Sequence, residues 1–218
     1  MATKRSEPRS TRRLATRVRA LCAFTAAMAV RDARRARRAL LAAQRNGTIR
    51  LAAEEAALML MLYAGYPSAL ESLRVLNDVW PGRASRSREG TTTRWRTQGS
   101  ALCKRVYGSA YDKLIPMVQR LHPDLAVWME EHGYGRVLSR PGLTPREREL
   151  ITIATLAALG WERQLVSHLL GARRVGAGAE EVRNAFRTGL AVSDEVGRAA
   201  SRRAWDQVGL LPTSRPAA

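Results

Sequence analysis

The segment from residue 143 to 181 constrains the fold most strongly, because it contains a complete set of helix start and stop signals. Thr144 is followed by Pro145, and Glu147 lies three residues after the threonine. An N-cap, a first-turn proline and a capping-box acid are typical of a helix N-terminus. Gly160 is a natural stop. The sequence therefore predicts a helix from Pro145 to Gly160.

A second helix is predicted from Glu162 to Val175, ending at Gly176. Glu149 precedes the Gly160 turn by eleven residues, and His168 follows it by eight. At about 1.5 Å of rise per residue these side chains lie roughly 16 and 12 Å from the turn. In a folded hairpin they would therefore sit within about one turn of the same level.

Both side chains lie on apolar helix faces. Glu149 shares its face with Ile153 and Leu156, and the face of His168 carries Trp161, Leu165, Ala172 and Val175. An ionisable group on an apolar face is costly unless it is paired or takes part in chemistry. Two interpretations follow: a buried Glu–His pair that only holds the hairpin together, or a reactive pair.

The stretch RPGLTPRERELITIATLAALGWERQLVSHLLGARRVGAGAEEV resembles the core of the carboxymuconolactone decarboxylase family, within the alkylhydroperoxidase D-like superfamily. The motifs are RPGL, an R-x-R-x-L-I-T-I-A helix, A-A-L-G, Q-L-x-x-H-L, and G-A before an acidic helix start. The resemblance implies an all-α, alkylhydroperoxidase D-like helical fold, and the dominance of alanine and leucine agrees with it.

In the peroxidase branch of that superfamily, a Glu and a His nineteen residues apart flank a redox C-x-x-C. Glu149 and His168 have this separation, but Trp161 and Gln164 stand at the spacing of the two cysteines. The resemblance therefore favours the decarboxylase-like branch over a peroxidase or antioxidant activity. It also implies that Trp161 and Gln164 line the substrate site.

The resemblance implies a carboxy-lyase that acts without a cofactor on a small carboxylated, lactone-type substrate, as in aromatic-compound degradation. Such a decarboxylation requires stabilisation of an oxyanion and a proton donor. His168 is the candidate donor, because histidine ordinarily titrates near neutrality. Glu149 would orient the imidazole, or act as the acid itself if burial keeps it protonated.

Three further residues are candidates for substrate binding. Arg140 and Arg148 are the cations nearest to the hairpin in sequence, and a charged substrate requires such anchors. Tyr63 could enter the site from the first part of the chain. Each of the three has a plainer interpretation, as an exposed arginine or as a tyrosine that only packs.

The chain also contains an apparent repeat. Residues 13–80 and 143–205 share a layout of two helices, a glycine, paired acids and a third helix. Counting back from the glycines, Ala20 and Ala39 occupy the positions of Glu149 and His168, which marks a vestige of a second pair. The predicted organisation is a disordered basic tail at 1–12, a degenerate family-like half at 13–80, a linker at 81–100, a half with the candidate active site at 101–205 and a tail at 206–218.

The net charge of +18 favours an alternative class, a non-catalytic basic helical oligomer that binds nucleic acid or protein. All but three of the 37 basic residues are arginine and they are spread along the chain, so nucleic acid is not expected as the main partner. Cys22 and Cys103 show neither metal nor redox spacing. We expect no metal, no membrane span and a cytoplasmic location.

The apolar run from Leu58 to Leu62, together with the resemblance, predicts a homo-oligomer held together by helices. Light scattering at micromolar concentration should give a multiple of the 24.1 kDa chain mass. A monomer under these conditions would contradict this prediction.

Overall fold

The computed structural model describes residues 14–87 and 89–209, and all regular structure in these ranges is helical, as predicted. The helices are α1 Thr16–Ala29, α2 Ala33–Arg45, α3 Arg50–Val79, α4 Thr92–Tyr107, α5 Tyr111–Leu121, α6 Pro123–Trp128, α7 Pro145–Leu159, α8 Glu162–Arg174, α9 Ala179–Leu190 and α10 Glu195–Val208. A 3₁₀ turn at Gly108–Ala110 precedes α5, and a π-helix at Met129–Leu138 follows α6. Among the described helices, none combines the length and apolarity that a membrane crossing requires.

The signals around α7 act as the sequence predicts. Thr144 Oγ1 accepts a hydrogen bond from the Glu147 backbone N–H at 3.2 Å, and Glu147 Oε2 accepts one from the Thr144 N–H at 2.9 Å. The helix ends at Gly160, whose φ of 71° lies in the left-handed region. A Cβ at this position would lie 2.4 Å from Gly197 Cα, so α10 also requires a glycine here.

The α1–α2 hairpin repeats the turn geometry of the α7–α8 hairpin. Arg31 stands at the position equivalent to Gly160 and is the non-glycine residue with positive φ among those described, at 62°. Gly47 after α2 and Gly176 after α8 have φ values of 73° and 95°. Ala20 and Ala39 are buried, at 7% and 8% exposure. The two hairpins are therefore alike in local geometry, while their origin as two copies stays a prediction.

The two predicted halves share one hydrophobic core instead of forming separate bodies. Helix α1 packs against α7 and α9 as well as against α2 and α3. The fully buried Phe24, Leu60, Leu150 and Leu165 all belong to this core. The apolar run on α3 also points inward in part, since Met59 and Leu60 are buried within the same chain. Exposed apolar side chains include Leu121, Leu125 and Trp128 of α5 and α6, and also Tyr66 and Leu70 in the second half of α3.

The boundaries of two predicted segments differ from the structure. The predicted linker at 81–100 is irregular only as far as Thr91, because Thr91 Oγ1 accepts from the Arg94 N–H at 3.3 Å and caps α4. Helix α3 is kinked where a proline inside a helix is expected to produce a kink: Gly65, with φ 83° and ψ 169°, lies two residues before Pro67. The predicted tail at 1–12 lies outside the described residues, and helix α10 occupies the start of the predicted C-terminal tail as far as Val208.

Gly160→Ala should destabilise the protein more than Gly176→Ala. Both positions have positive φ, which costs an L-residue roughly 1–2 kcal/mol. Only at Gly160 would the new methyl group also meet backbone, whereas a Cβ at Gly176 meets nothing within 4 Å. Thermal or urea unfolding of the two variants tests this, and equal losses of stability would contradict the packing argument.

Candidate functional site

The α7–α8 hairpin brings Glu149 and His168 into direct contact. Glu149 Oε2 lies 2.9 Å from His168 Nδ1, and the two residues are 3% and 6% exposed. Their helices meet at the Gly160 turn, so the nineteen-residue spacing places both groups at one level, as predicted. A hydrogen bond at this distance, away from water, lets the carboxylate fix the orientation of the imidazole.

Glu149 differs from the other buried carboxylates in its partner. Glu54, Glu55, Glu147 and Glu181 are all paired with arginine. The partner recorded for Glu149 among the described residues is His168. An arginine stays charged at any physiological pH, whereas histidine gains and loses a proton near neutrality. Among the buried carboxylate pairs described, the pair of Glu149 and His168 is therefore the one whose nitrogen partner is not an arginine.

Three tyrosines surround the pair. The Tyr63 ring lies edge-on to the His168 ring, with 6.1 Å between centroids, and its hydroxyl oxygen accepts a hydrogen bond from Thr152 Oγ1 at 2.9 Å. Burial raises the pKa of Tyr63 and of Tyr134, and it raises the pKa of Tyr107 to about 12, with the charge of Glu149 acting in the same direction. These phenols are therefore neutral hydrogen-bond donors at neutral pH.

Sequence reasoning found Tyr63 but missed Tyr107 and Tyr134. Their rings pack edge to face at 6.0 Å, and they come from α4 and the π-helix. Neither residue is close in sequence to the α7–α8 hairpin. The only sequence feature that could have indicated them is that each tyrosine has apolar neighbours in its own segment. That pattern is equally typical of ordinary core residues, so it does not identify a site.

The two candidate arginines form one buried cluster with Glu55 of α3. Arg148 is 2% exposed and donates from Nη2 to Glu55 Oε2 at 3.0 Å and to the Arg140 carbonyl oxygen at 2.7 Å. Arg140 donates from Nε to Glu55 Oε1 at 3.0 Å. Burial lowers the pKa of Arg148, and Glu55 opposes this shift. Glu55, which the sequence analysis did not single out, thus ties both arginines to the first part of the chain.

Arg148 also carries unsatisfied donors. Its Nε and Nη1 atoms are buried and have no hydrogen-bond partner among the described residues. Such groups are rare, since a buried donor without a partner costs about 1–3 kcal/mol. They adjoin a closed space beside Glu149 and Tyr134 that leaves no room for a water molecule. The chain therefore keeps two strong donors without partners close to Glu149 in a tightly packed interior.

Trp161 and Gln164 are in contact with solvent. Trp161 is the N-cap residue of α8 and is 55% exposed, and Gln164 is also exposed. They precede His168 by seven and four residues, so they share its side of the helix two turns and one turn away, respectively. The structure thus does not bury them with the pair, and their role as lining residues stays a prediction.

The two cysteines lack the exposure and the low pKa that a redox-active thiol requires. Both are free and buried. Burial raises the pKa of Cys103 to about 12, with Glu130 and Glu149 adding to the effect, and it raises the pKa of Cys22. No group of three or more His, Cys, Asp and Glu side chains in the described ranges is placed to hold a metal ion.

Comparisons with known proteins identify the part of the chain that holds the pair. The model of the Carboxymuconolactone decarboxylase family matches residues 123–207. A relative from Schizosaccharomyces pombe, "Peroxisomal protein 2", is 29% identical over 138 residues, which are 61% of this chain. The chain spans 64% of the length of that relative.

The family match extends from α6 into α10 and leaves out α1 to α5, including Tyr63 and the predicted first copy. Six of the seven predicted site residues fall inside it: Arg140, Arg148, Glu149, Trp161, Gln164 and His168. The resemblance that the sequence motifs indicated is therefore confirmed, since residues 123–207 match the model of the carboxymuconolactone decarboxylase family.

Proposed function

We propose that the protein is a carboxymuconolactone decarboxylase-like enzyme that protonates a small carboxylated substrate with its Glu149–His168 pair and uses no cofactor. The observation that carries this proposal is the identity of the partner of Glu149. Where the other buried carboxylates have a permanently charged arginine, this one has a histidine at 2.9 Å. A carboxylate hydrogen-bonded to an imidazole is an arrangement that general acid–base catalysis uses.

The proposed reaction breaks the bond between the substrate ring and its carboxylate. Carbon dioxide leaves without the bonding electrons, which move through the conjugated system onto the lactone carbonyl oxygen. A phenol donor such as Tyr63 stabilises that oxygen. The imidazolium of His168 then delivers a proton to the ring carbon, and Glu149 stabilises the cationic form of the imidazole before the transfer.

Arg148 is the proposed anchor for the substrate carboxylate. Its Nε and Nη1 atoms are buried donors without partners among the described residues, and because they point to different sides of the guanidinium, each would donate to a separate oxygen of the substrate. The space beside them is closed, so the site has to open for a substrate to enter. The π-helix Met129–Leu138 carries Tyr134 and Leu138 on the wall of this space, and π-helical segments are frequent at functional sites.

Two alternatives remain in view. A purely structural Glu149–His168 pair in a non-catalytic helical oligomer is favoured by the sealed space and by the exposed apolar residues of α5 and α6. A peroxidase of the alkylhydroperoxidase D kind would require reactive thiols. The His168→Asn variant distinguishes the structural alternative from catalysis, and the cysteine double variant distinguishes the peroxidase alternative.

His168→Asn should lower the rate of CO₂ release from carboxymuconolactone by about 10²–10⁴-fold, the usual range for loss of a general acid or base. The melting temperature should change little, because asparagine retains part of the hydrogen bonding. His122→Asn is the matched control, since His122 is an exposed N-cap on α6 and asparagine is also a good N-cap.

The structural alternative predicts the opposite outcome for the same variant. An unpaired buried carboxylate costs about 3–5 kcal/mol, so the melting temperature would fall sharply. Glu149→Gln removes the charge and keeps the shape, and under the catalytic proposal it should also slow the reaction. Folded His168→Asn protein with full activity per molecule would overturn the proposal.

The Cys22→Ser/Cys103→Ser double variant should retain full activity. Because burial raises the pKa of both thiols, the thiolate fraction at pH 8 is far smaller in the folded protein than in the unfolded chain. A thiol-reactive disulfide reagent should therefore detect no rapidly reacting thiol in the native protein. It should detect two thiols in about 6 M guanidinium, a concentration that unfolds most proteins. Loss of turnover in the folded double variant would favour the peroxidase alternative.

A further inference from the structure

A cleft of about 540 Å³ lies between the start of α4, the irregular segment before it and the end of the π-helix, and Arg140 is the candidate site residue that lines it. Its volume falls in the range of sites for small ligands, roughly 300–1,000 Å³. The residues that determine its chemistry are Arg94, Trp95, Arg136, Arg140 and Glu89. Glu149 and His168 do not line it.

The charge of the cleft is only partly neutralised. Arg136 donates to Glu89 across the opening, with 2.9 Å between Nη2 and Oε2. The exposed guanidinium of Arg94 has no ion-pair partner among the described residues. Arg140 uses Nε for Glu55, and no hydrogen bond of its two terminal nitrogens is found in the described ranges. Two cationic forks are thus available to an anion.

One wall of the cleft is flat and rigid. The guanidinium carbon of Arg136 lies 4.8 Å from the centroid of the Trp95 ring, a stacked cation–π arrangement. The backbones of α4 and the π-helix touch here, since a Cβ on Gly135 would lie 2.0 Å from the Trp95 carbonyl oxygen. A similar contact joins Gly99 to the Glu130 carbonyl oxygen, where a Cβ would lie at 1.9 Å. The platform is therefore held by backbone contact on both sides.

We propose that this cleft is a ligand site for a small planar polyanion, an organic molecule with a flat ring and two or more acidic groups. The acidic groups bind Arg94 and the terminal nitrogens of Arg140, and the ring packs against the Trp95–Arg136 platform. The proposal does not rest on the proposed decarboxylase activity. The cleft approaches the buried site through Arg140 and Glu55, which bind one another and not Glu149.

The test uses calorimetry on the full chain with two trianions that differ in shape. Benzene-1,2,4-tricarboxylate is planar, and propane-1,2,3-tricarboxylate has the same number of carboxylates on a flexible chain. The planar probe should bind saturably and about 2–5-fold more tightly, the ratio that corresponds to a stacking contact at an exposed site. Arg94→Gln should weaken it about tenfold or more, because it removes a charge-assisted contact.

Arg38→Gln is the control for net charge, since Arg38 is exposed on α2 and has no ion-pair partner among the described residues. It should leave the affinity unchanged. Trp95→Leu, checked for folding by circular dichroism, should remove the preference for the planar probe. Equal weakening by Arg94→Gln and Arg38→Gln would mean attraction by bulk charge and would overturn the proposal. So would the absence of saturable binding below about 1 mM, a free energy near −4 kcal/mol. Binding should survive in His168→Asn, whether or not that variant is active.

Discussion

The pairing of buried carboxylates is the constraint on which this structure depends. Helix α3 brings Glu55 into the interior at 1% exposure, where an isolated charge would be unstable. Arg148 of α7 and Arg140 of the preceding loop both bind it, so a single carboxylate joins the first part of the chain to the helix that carries Glu149. Removing one member of such a cluster leaves the others buried without compensation, which typically costs about 3–5 kcal/mol.

The need to pair buried carboxylates also explains why the Glu149–His168 pair stands out from the others. Four buried carboxylates are neutralised by a cation that keeps its proton, and they serve the fold. The fifth is paired with an imidazole, and it lies near Tyr63 and Tyr107, whose raised pKa values keep these phenols neutral. The surrounding interior is closed to water, which strengthens electrostatic interactions inside it. Catalysis at this place therefore requires both the pair and a movement that admits the substrate.

The high net charge finds a partial explanation in this architecture. Arginines neutralise the buried carboxylates, and others stand on solvent-exposed helix faces, as on α2. The cleft beside Trp95 differs from those exposed faces, because its arginines line one half-open cleft that also has an aromatic wall. A specific anion site requires several cations that line the same cleft, and the total number of cations in the chain does not provide this.

Much of the α7–α8 hairpin could be predicted from the sequence because its determinants are local. The capping box, the glycine stop and the helical rise together fix the relative positions of Glu149 and His168. The repeated turn at Arg31 was accessible for the same reason, through the matching spacing of Gly47 and Gly176.

Only the tertiary structure decided what surrounds the pair. Tyr107, Tyr134 and Glu55 come from three other segments, and no local pattern records which distant helices will meet. The polar composition of residues 81–100 predicts a linker, yet residues from Thr92 onward form the start of α4, with a threonine cap and contact with the π-helix. The sequence by itself determined the hairpin and its acid–base pair, since hydrogen bonds and helical periodicity act over a few residues. The tyrosine shell, the sealed interior and the arginine cleft depended on packing between residues that are far apart in the chain.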